Sequence, residues 1–304
     1  MSALPASRIS LVVLTHNRRA RVLETLAKLR ALPERCPIWV VDNGSCDGTS
    51  DAVRAQFSDV HVVRLPDNRG AAGRNAGVAA ARTPYVAFCD DDTWWAPGAL
   101  TRAVALLDAH PRVAVLCARV LVGADERLDP TCHAMAHSPA RVDGLPGPLL
   151  LGYLAGACVM RRDAFLAVGG YDARLFLGAE EALVALDLAV RAQWTVYAAA
   201  LTVHHHPAPR TDSTVRRRRL ARNAIWVAWL RRPPASALRE SWRALRRCAS
   251  LREGVGALRD ALSGLSWVLR ERQVIPLHLD RLRREIDQQE AAGTRPLAPG
   301  SPTS

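Results

Sequence analysis

At 304 residues, with 49% apolar and 23% charged side chains, the chain can hold one large α/β domain plus an appendage and is too apolar to be disordered over most of its length. No apolar run reaches the roughly 18 residues of a membrane span, residues 1–10 lack the pattern of a secretory signal, and seven cysteines without a Cys-x-x-Cys pair argue against a zinc ribbon or a disulfide framework, so a cytosolic or membrane-peripheral setting is expected. The formal charge of +12 invites a polyanion reading, but 40 of the 41 basic residues are arginine, and 11 of those crowd 216–247 against a single acid, Glu240.

The first 120 residues alternate apolar runs with helical periods. Strands are predicted at 9–14 (ISLVVL), 38–41, 60–63, 85–89 and 113–122, and helices at 19–30, 47–57, 71–81 and 97–109, the last with Pro97 in its first turn. That order implies a mostly parallel sheet covered on both faces, with ligands bound beyond the carboxyl ends of its strands. Residues 123–150 read as irregular, 156–161 as a strand, 180–192 as a helix, and 195–198 and 201–205 as two short strands. Beyond Pro207 the pattern is helical, at 215–230, 236–251 and 255–270, the last two each with one apolar stripe, and 291–304 reads as a disordered tail.

Polar clusters follow four successive strands: Thr15-His16-Asn17, Asp42-Asn43-Gly44-Ser45, the stretch 67–77 (DNRGAAGRNAG), and Asp90-Asp91-Asp92. Each alone is ordinary turn or cap chemistry. Together, at one edge of a parallel sheet, they describe a site. Three adjacent carboxylates repel one another, so packing does not explain them. In extended backbone Asp90 and Asp92 share a side, which suits Mg²⁺ or Mn²⁺ completing its shell with phosphate oxygens. Trp94 and Trp95 suit either stacking on a ligand or plain packing.

These four segments, ISLVVLTHNR, VVDNGSCDGT, DNRGAAGRNAG and FCDDDTWWAPGAL, resemble glycosyltransferase family 2 over roughly residues 8–206. The resemblance implies a GT-A fold: a Rossmann-like αβα sandwich, here with a C-terminal helical extension. It implies inverting transfer from a nucleotide-sugar. Thr15, His16 and Asn17 would line the nucleotide pocket, Asp42 would bond the base, and Arg74 and Asn75 would close the site. Asp90 and Asp92 would form the Asp-x-Asp element, with Asp90 near the ribose, Asp92 on the metal and Asp91 between them. Glu181 matches the usual general base, with Glu180 in reserve. A late histidine near metal and diphosphate is expected from His204-His205-His206, with His204 as ligand.

The domains implied are a catalytic unit at 1–210 (nucleotide half about 8–120, acceptor half about 121–210), a basic helical extension at 211–290 and the tail at 291–304. A UDP- or dTDP-sugar donor, an acceptor glycan or lipid-linked saccharide, and a cell-envelope role of rhamnosyltransferase type are the expected partners and setting. The competing enzyme reading is a nucleotidyltransferase, although its glycine- and lysine-rich entry loop is replaced by Thr15-His16-Asn17-Arg18. The non-enzymatic alternative is a polyanion-binding protein centred on Arg216–Arg219; no specific nucleic acid is expected. Residues 224–230 (AIWVAWL) are apolar on every side and flanked by arginines. They are too short to span a bilayer, so they either pack on the catalytic unit, with the striped helices closing as a hairpin, or rest on an anionic membrane surface together with 216–247.

Overall fold

The computed structural model describes residues 8–207 and 213–293. The first half follows the predicted alternation: β1 (Ile9–Thr15), α1 (Arg19–Arg30), β2 (Ile38–Asp42), α2 (Thr49–Gln56), β3 (His61–Arg64), α3 (Arg74–Ala80), β4 (Tyr85–Asp90), β5 (Thr93–Trp95), α4 (Ala99–Ala109) and β6 (Val113–Val122). β1 is apolar at every position from Leu11 to Leu14 because helices cover both sheet faces, and Val12 and Val13 are wholly buried. A 3₁₀ turn, Gly70–Gly73, leads into α3. There Gly77 allows close approach to the sheet, since a Cβ would lie 2.5 Å from Val12 Cγ1. α4 starts two residues later than expected: Gly98 takes φ +81°, so Pro97 lies in the preceding turn rather than in the helix.

The stretch expected to be irregular contains β7 (Arg127–Leu128), α5 (Pro130–Ala136) and β8 (Leu149–Leu150). β7 folds back on β6, and Asp129 caps α5 by accepting from the Thr131 amide at 2.7 Å. After β9 (Cys158–Arg161), α6 (Arg162–Ala167) and α7 (Glu180–Val190), the two short strands expected next are one strand, β10 (Trp194–His205). Its register against β6 slips between Ala198 and Thr202, and Ala199 and Ala200 bulge outward; that break hides its continuity in the sequence.

The sheet order is β3-β2-β1-β4-β9-β6-β10-β5. β1 pairs in parallel with β2 and β4, and β6 with β10, while β9 runs antiparallel between β4 and β6. The carboxyl ends of β1, β2, β4, β6 and β10 and the start of β9 therefore meet at one edge.

The C-terminal region is α8 (Thr214–Arg231), α9 (Pro234–Arg246), α10 (Leu251–Ser263), α11 (Leu265–Arg270) and α12 (Leu277–Gly293). The helix expected to run to 251 ends at Arg246, because Ser250 caps the next one by accepting from the Glu253 amide. α12 carries the chain in helix through Gly293, past the expected start of the tail; positions 294–304 lie outside the described residues. These helices share a core with α7 and with Leu149 and Leu151. Arg232 fastens α12, donating to Asp280 at 2.9 Å and Asp287 at 2.8 Å, with all three side chains buried.

The 224–230 segment packs. Ile225, Trp226, Val227, Ala228 and Leu230 are buried, and Trp226 Nε1 donates to the Ala261 carbonyl at 2.8 Å. Gly264 sits against the Trp226 ring, where a Cβ would fall 2.5 Å from Cζ2. Bulky residues on α8 thus select the small faces of its neighbours, Ala237 and Ala244 on α9 and Ala257 and Ala261 on α10. The apolar stripes expected to close a hairpin are turned outward instead. The arginines of α8 are largely engaged within the fold: Arg217 with Glu253, Arg218 with Asp260, Arg219 over Phe176 and Arg222 over Trp226. The 216–232 stretch therefore does not present a tryptophan-and-arginine membrane face.

Candidate active site

The strand ends enclose a cleft of about 810 Å³. Thr15, His16, Arg18, Asn43, Arg74, Asp90, Asp91, Asp92, Glu180, Glu181, His205 and Arg216 all contribute to its wall. β1 ends on Thr15, whose hydroxyl donates to Asp91 Oδ2 at 3.0 Å. Arg18, one residue past the predicted cluster, forks between Asp91 Oδ1 at 2.9 Å and Asp92 Oδ2 at 3.0 Å. Asp91, the middle of the three acids, is thus buried and held from two sides. Burial pushes its carboxyl up to about 6, with the Arg18 guanidinium opposing the rise.

Asp90 pairs with the buried guanidinium of Arg74, and Gly156 leaves room for it, since a Cβ there would lie 2.5 Å from Asp90 Oδ2. Arg74 Nε is buried without a partner. Burial alone would lower the Arg74 pKa; the Asp90 charge beside it raises it and keeps the guanidinium charged.

Asp92 Oδ1 and His205 Nε2 are buried and face each other at 3.5 Å, an ion-pair contact without hydrogen-bond geometry, and neither bonds to anything else. Burial pushes the Asp92 carboxyl up, but His205 and Arg18 outweigh it and hold it below the usual range. A buried carboxylate oxygen and imidazole nitrogen that face each other and bond to nothing else are a ligand set that a divalent cation would suit. Among the described residues no group of three His, Cys, Asp or Glu is arranged to hold a metal, so such an ion would need oxygens from a ligand. His204 points the other way: its Nδ1 lies 3.1 Å from Glu126 and its ring stacks on Trp94. The period-2 alternation of β10 puts His205, not His204, at the cleft. Trp94 lies beneath Lys28 Nζ at 3.3 Å and Trp95 is fully buried, so both are packed.

The remaining expected residues frame the cleft from behind. Asn17, at φ +52°, accepts on Oδ1 from the Cys46 amide and donates its own backbone amide to Ser45 Oγ, tying the end of β1 to the turn after β2. Asp42 is buried and accepts from the Ser45 amide at 2.9 Å and from the Ser50 hydroxyl. Burial raises its carboxyl, yet those hydrogen bonds prevail and lower it. Asn75 brackets the backbone of Tyr171, donating to its carbonyl at 2.8 Å and accepting from its amide at 3.0 Å. None of the three lines the cleft.

Glu180 and Glu181 open α7 on the acceptor side. Burial is the main cause raising both carboxyls, and for Glu181 the Glu180 charge adds to it. Glu180 Oε2 is buried without a partner. The turn before them is strained, with Phe176 at φ +62° and Ala179 at φ +71°. Two contacts hold it. The Phe176 carbonyl accepts from Ala71 at 2.6 Å, and Gly70 leaves the room, since a Cβ there would sit 1.8 Å from that oxygen. From α8, the wholly buried Asn223 donates to the carbonyls of Leu175 at 2.7 Å and Gly178 at 2.7 Å. Asn223, Arg18 and Arg216 were not singled out as site residues by sequence reasoning. Arg18 adjoins the first polar cluster and could have been included; Asn223 and Arg216 lie inside an arginine-rich helix with nothing local to mark them.

The family model for glycosyl transferase family 2 matches residues 10–169. A pre-mycofactocin glycosyltransferase of Mycobacterium tuberculosis is 26% identical over 216 residues, which are 69% of this chain and 45% of that protein, so the chain spans less than half of that relative's length. The N-acetylglucosaminyl-diphospho-decaprenol L-rhamnosyltransferase of the same organism is 27% identical over 244 residues, 67% of this chain and 77% of that protein. Among solved structures, Staphylococcus aureus TarS in complex with UDP-GlcNAc aligns with a TM-score of 0.61 at 17% identity, over 94% of this chain and 88% of that one. A Pyrobaculum calidifontis mannosyltransferase in complex with GDP-Man and Mn²⁺ aligns with a TM-score of 0.55 at 17% identity, over 94% and 86%. At that identity the structural likeness speaks for the fold, which is the GT-A arrangement expected.

Proposed function

Because the chain belongs to glycosyl transferase family 2, we propose that it transfers a sugar, with inversion, from a nucleoside-diphospho-sugar to an acceptor hydroxyl. The observation carrying this reading is the buried pair Asp92 Oδ1 and His205 Nε2, which contact only each other in a cleft that also holds Glu180 and Glu181. Asp92 and His205, with Asp90 nearby, would hold Mn²⁺ or Mg²⁺, which when bound supplies Lewis-acid stabilisation of the departing diphosphate.

The protein's own groups do the rest. Arg18 fixes Asp91 and Asp92 in place. Arg216, whose Nε is buried without a partner at the cleft wall, offers positive charge to the leaving group. Thr15, His16 and Arg74 with Asp90 line the donor side, while Asn17, Asp42 and Asn75 shape it from behind. Glu181 takes the acceptor proton as the hydroxyl attacks the anomeric carbon, with Glu180 beside it setting its proton affinity.

The rhamnosyltransferase relative is named for an N-acetylglucosaminyl-diphospho-decaprenol acceptor and TarS is seen with UDP-GlcNAc. Those likenesses support a UDP- or dTDP-sugar donor and a glycan or lipid-linked saccharide acceptor, with rhamnosyl transfer for the cell envelope. No helix among the described residues is long and apolar enough to cross a membrane. A setting at the cytosolic face of the membrane accords with such an acceptor.

The test is a screen of nucleotide-sugars for protection against thermal unfolding, with and without Mn²⁺, followed by product analysis with the donor that protects. Asp92→Asn should abolish turnover and metal-dependent protection while the fold stays intact. Full activity in EDTA would overturn the metal assignment, and release of pyrophosphate instead of nucleoside diphosphate would point to nucleotidyl transfer.

A further inference from the structure

The outer face of α10 and α11 is apolar where a soluble surface should be polar. Leu251, Val255, Leu258 and Leu262 recur every three or four residues, and Leu265 and Leu269 continue the stripe past the Gly264 junction. Exposure is 86% for Leu251 and 58% for Leu262, whereas Ala257, Ala261 and Val268 on the opposite face are buried. Nineteen residues of nearly continuous helix make a ridge about 28 Å long. On neighbouring α9, Leu238 and Trp242 are likewise exposed, and the Arg246 guanidinium lies 4.4 Å over the Trp242 ring.

The charge beside this stripe has one sign. Arg252, Arg259 and Arg270 flank it on α10 and α11, and Arg239 and Arg246 do so on α9, all exposed. The acids of these helices are engaged elsewhere: Glu253 with Arg217, Asp260 with Arg218 and Glu240 with Arg243. Among the described residues none of the five flanking arginines forms an ion pair with an acid.

We propose that the outer face of α9, α10 and α11 is a docking surface for an anionic lipid bilayer. The leucine ridge enters the headgroup–acyl boundary, Trp242 sits at headgroup depth, and the flanking arginines meet the phosphates. A second copy of the chain fits poorly, because a twofold interface would lay this arginine face against itself. A nucleic acid would leave the leucine ridge in water. The surface is separate from the cleft, so the proposal stands whether or not the glycosyl-transfer reading holds. α8 joins the two, packing under α10 while Arg216 near its start reaches the cleft wall.

Flotation of the full chain with phosphatidylcholine vesicles, with and without phosphatidylglycerol, tests it. Binding is expected only to the anionic vesicles and should be lost at high salt. Leu258→Glu combined with Leu262→Glu should abolish it. Arg252→Gln, Arg259→Gln and Arg270→Gln together should weaken it about a hundredfold, at roughly fivefold for each arginine near an anionic surface. All five side chains face solvent, so thermal unfolding should stay at the parent value and separate lost docking from lost folding. Failure of the parent protein to bind anionic vesicles overturns the proposal. So does binding indifferent to the leucine changes, or a concentration-dependent dimer that Leu258→Glu dissociates.

Discussion

The cleft and the helical layer behind it handle buried charge in opposite ways. In the helical layer the buried acids are satisfied: Glu253 by Arg217, and Asp280 and Asp287 by Arg232. In the cleft Asp92 Oδ1, Glu180 Oε2, His205 Nε2 and the Nε atoms of Arg74 and Arg216 are buried without a hydrogen bond. An unsatisfied buried polar group is costly, so a fold keeps it where a ligand will complete it. Single unfilled atoms occur in the helical layer too, at Arg218 Nε and Arg272 Nη1; what distinguishes the cleft is that several of them, acids included, line one cavity.

The largest effect that would sharpen this contrast is on the chemical step. Glu181→Gln keeps shape and removes the proton acceptor, and kcat should fall by roughly 10²–10⁴ with donor binding little changed. If Glu180→Gln is the inactive variant instead, the two roles swap. The same reading fixes a pH sign. Burial and the neighbouring Glu180 raise the Glu181 carboxyl, so its basic form appears only above the usual glutamate range. The acid limb of kcat/KM should lie correspondingly high, and Glu180→Gln should move it toward lower pH.

On the scaffold side, Arg232→Ala removes the buried cation that Asp280 and Asp287 share and leaves them to Arg284 and to Arg283 with Arg243, so about 1–3 kcal/mol of stability should be lost in denaturant unfolding. Activity per folded molecule should hold. A variant that keeps its stability but loses turnover would erase the distinction between the two regions.

Asn223 joins them. Asn223→Ala removes the donors to Leu175 and Gly178, and a loss of about 1–3 kcal/mol is expected. Because that turn leads into Glu180 and Glu181, kcat should fall more than KM rises, and Asn223→Gln should not restore it. An unchanged kcat would reduce Asn223 to a purely structural role.

The smallest effect should come from His204→Ala. His204 faces Glu126 and Trp94, so activity should stay within a fewfold of the parent, whereas His205→Ala should lose metal-dependent donor protection. The reverse outcome would mean that the alternation of β10 has been read on the wrong face.

Much of this molecule was legible in its sequence because the relevant signals are local. A strand buried on both faces reads as a nearly continuous apolar run, so β1, β2, β4 and β6 announce themselves. The polar residues after them stand out against those runs, which is how Thr15, Asp90, Asp91 and Asp92 were found. Relations between distant segments were not legible. The bulge in β10 divides one strand into two apparent ones. Asp42 and Asn75 carry the right chemistry at the right spacing, yet only the packing shows that Ser50 and Tyr171 occupy them.

The amphipathic pattern of α9 and α10 determined that each helix has an apolar stripe, but a stripe does not say what it faces. Tertiary packing decided that, because the indole of Trp226 fills the space over α8 and only an alanine and glycine face comes close enough to join it. The leucines were left outside by volume, not by hydrophobicity, and packing volume depends on partners that no single helix encodes.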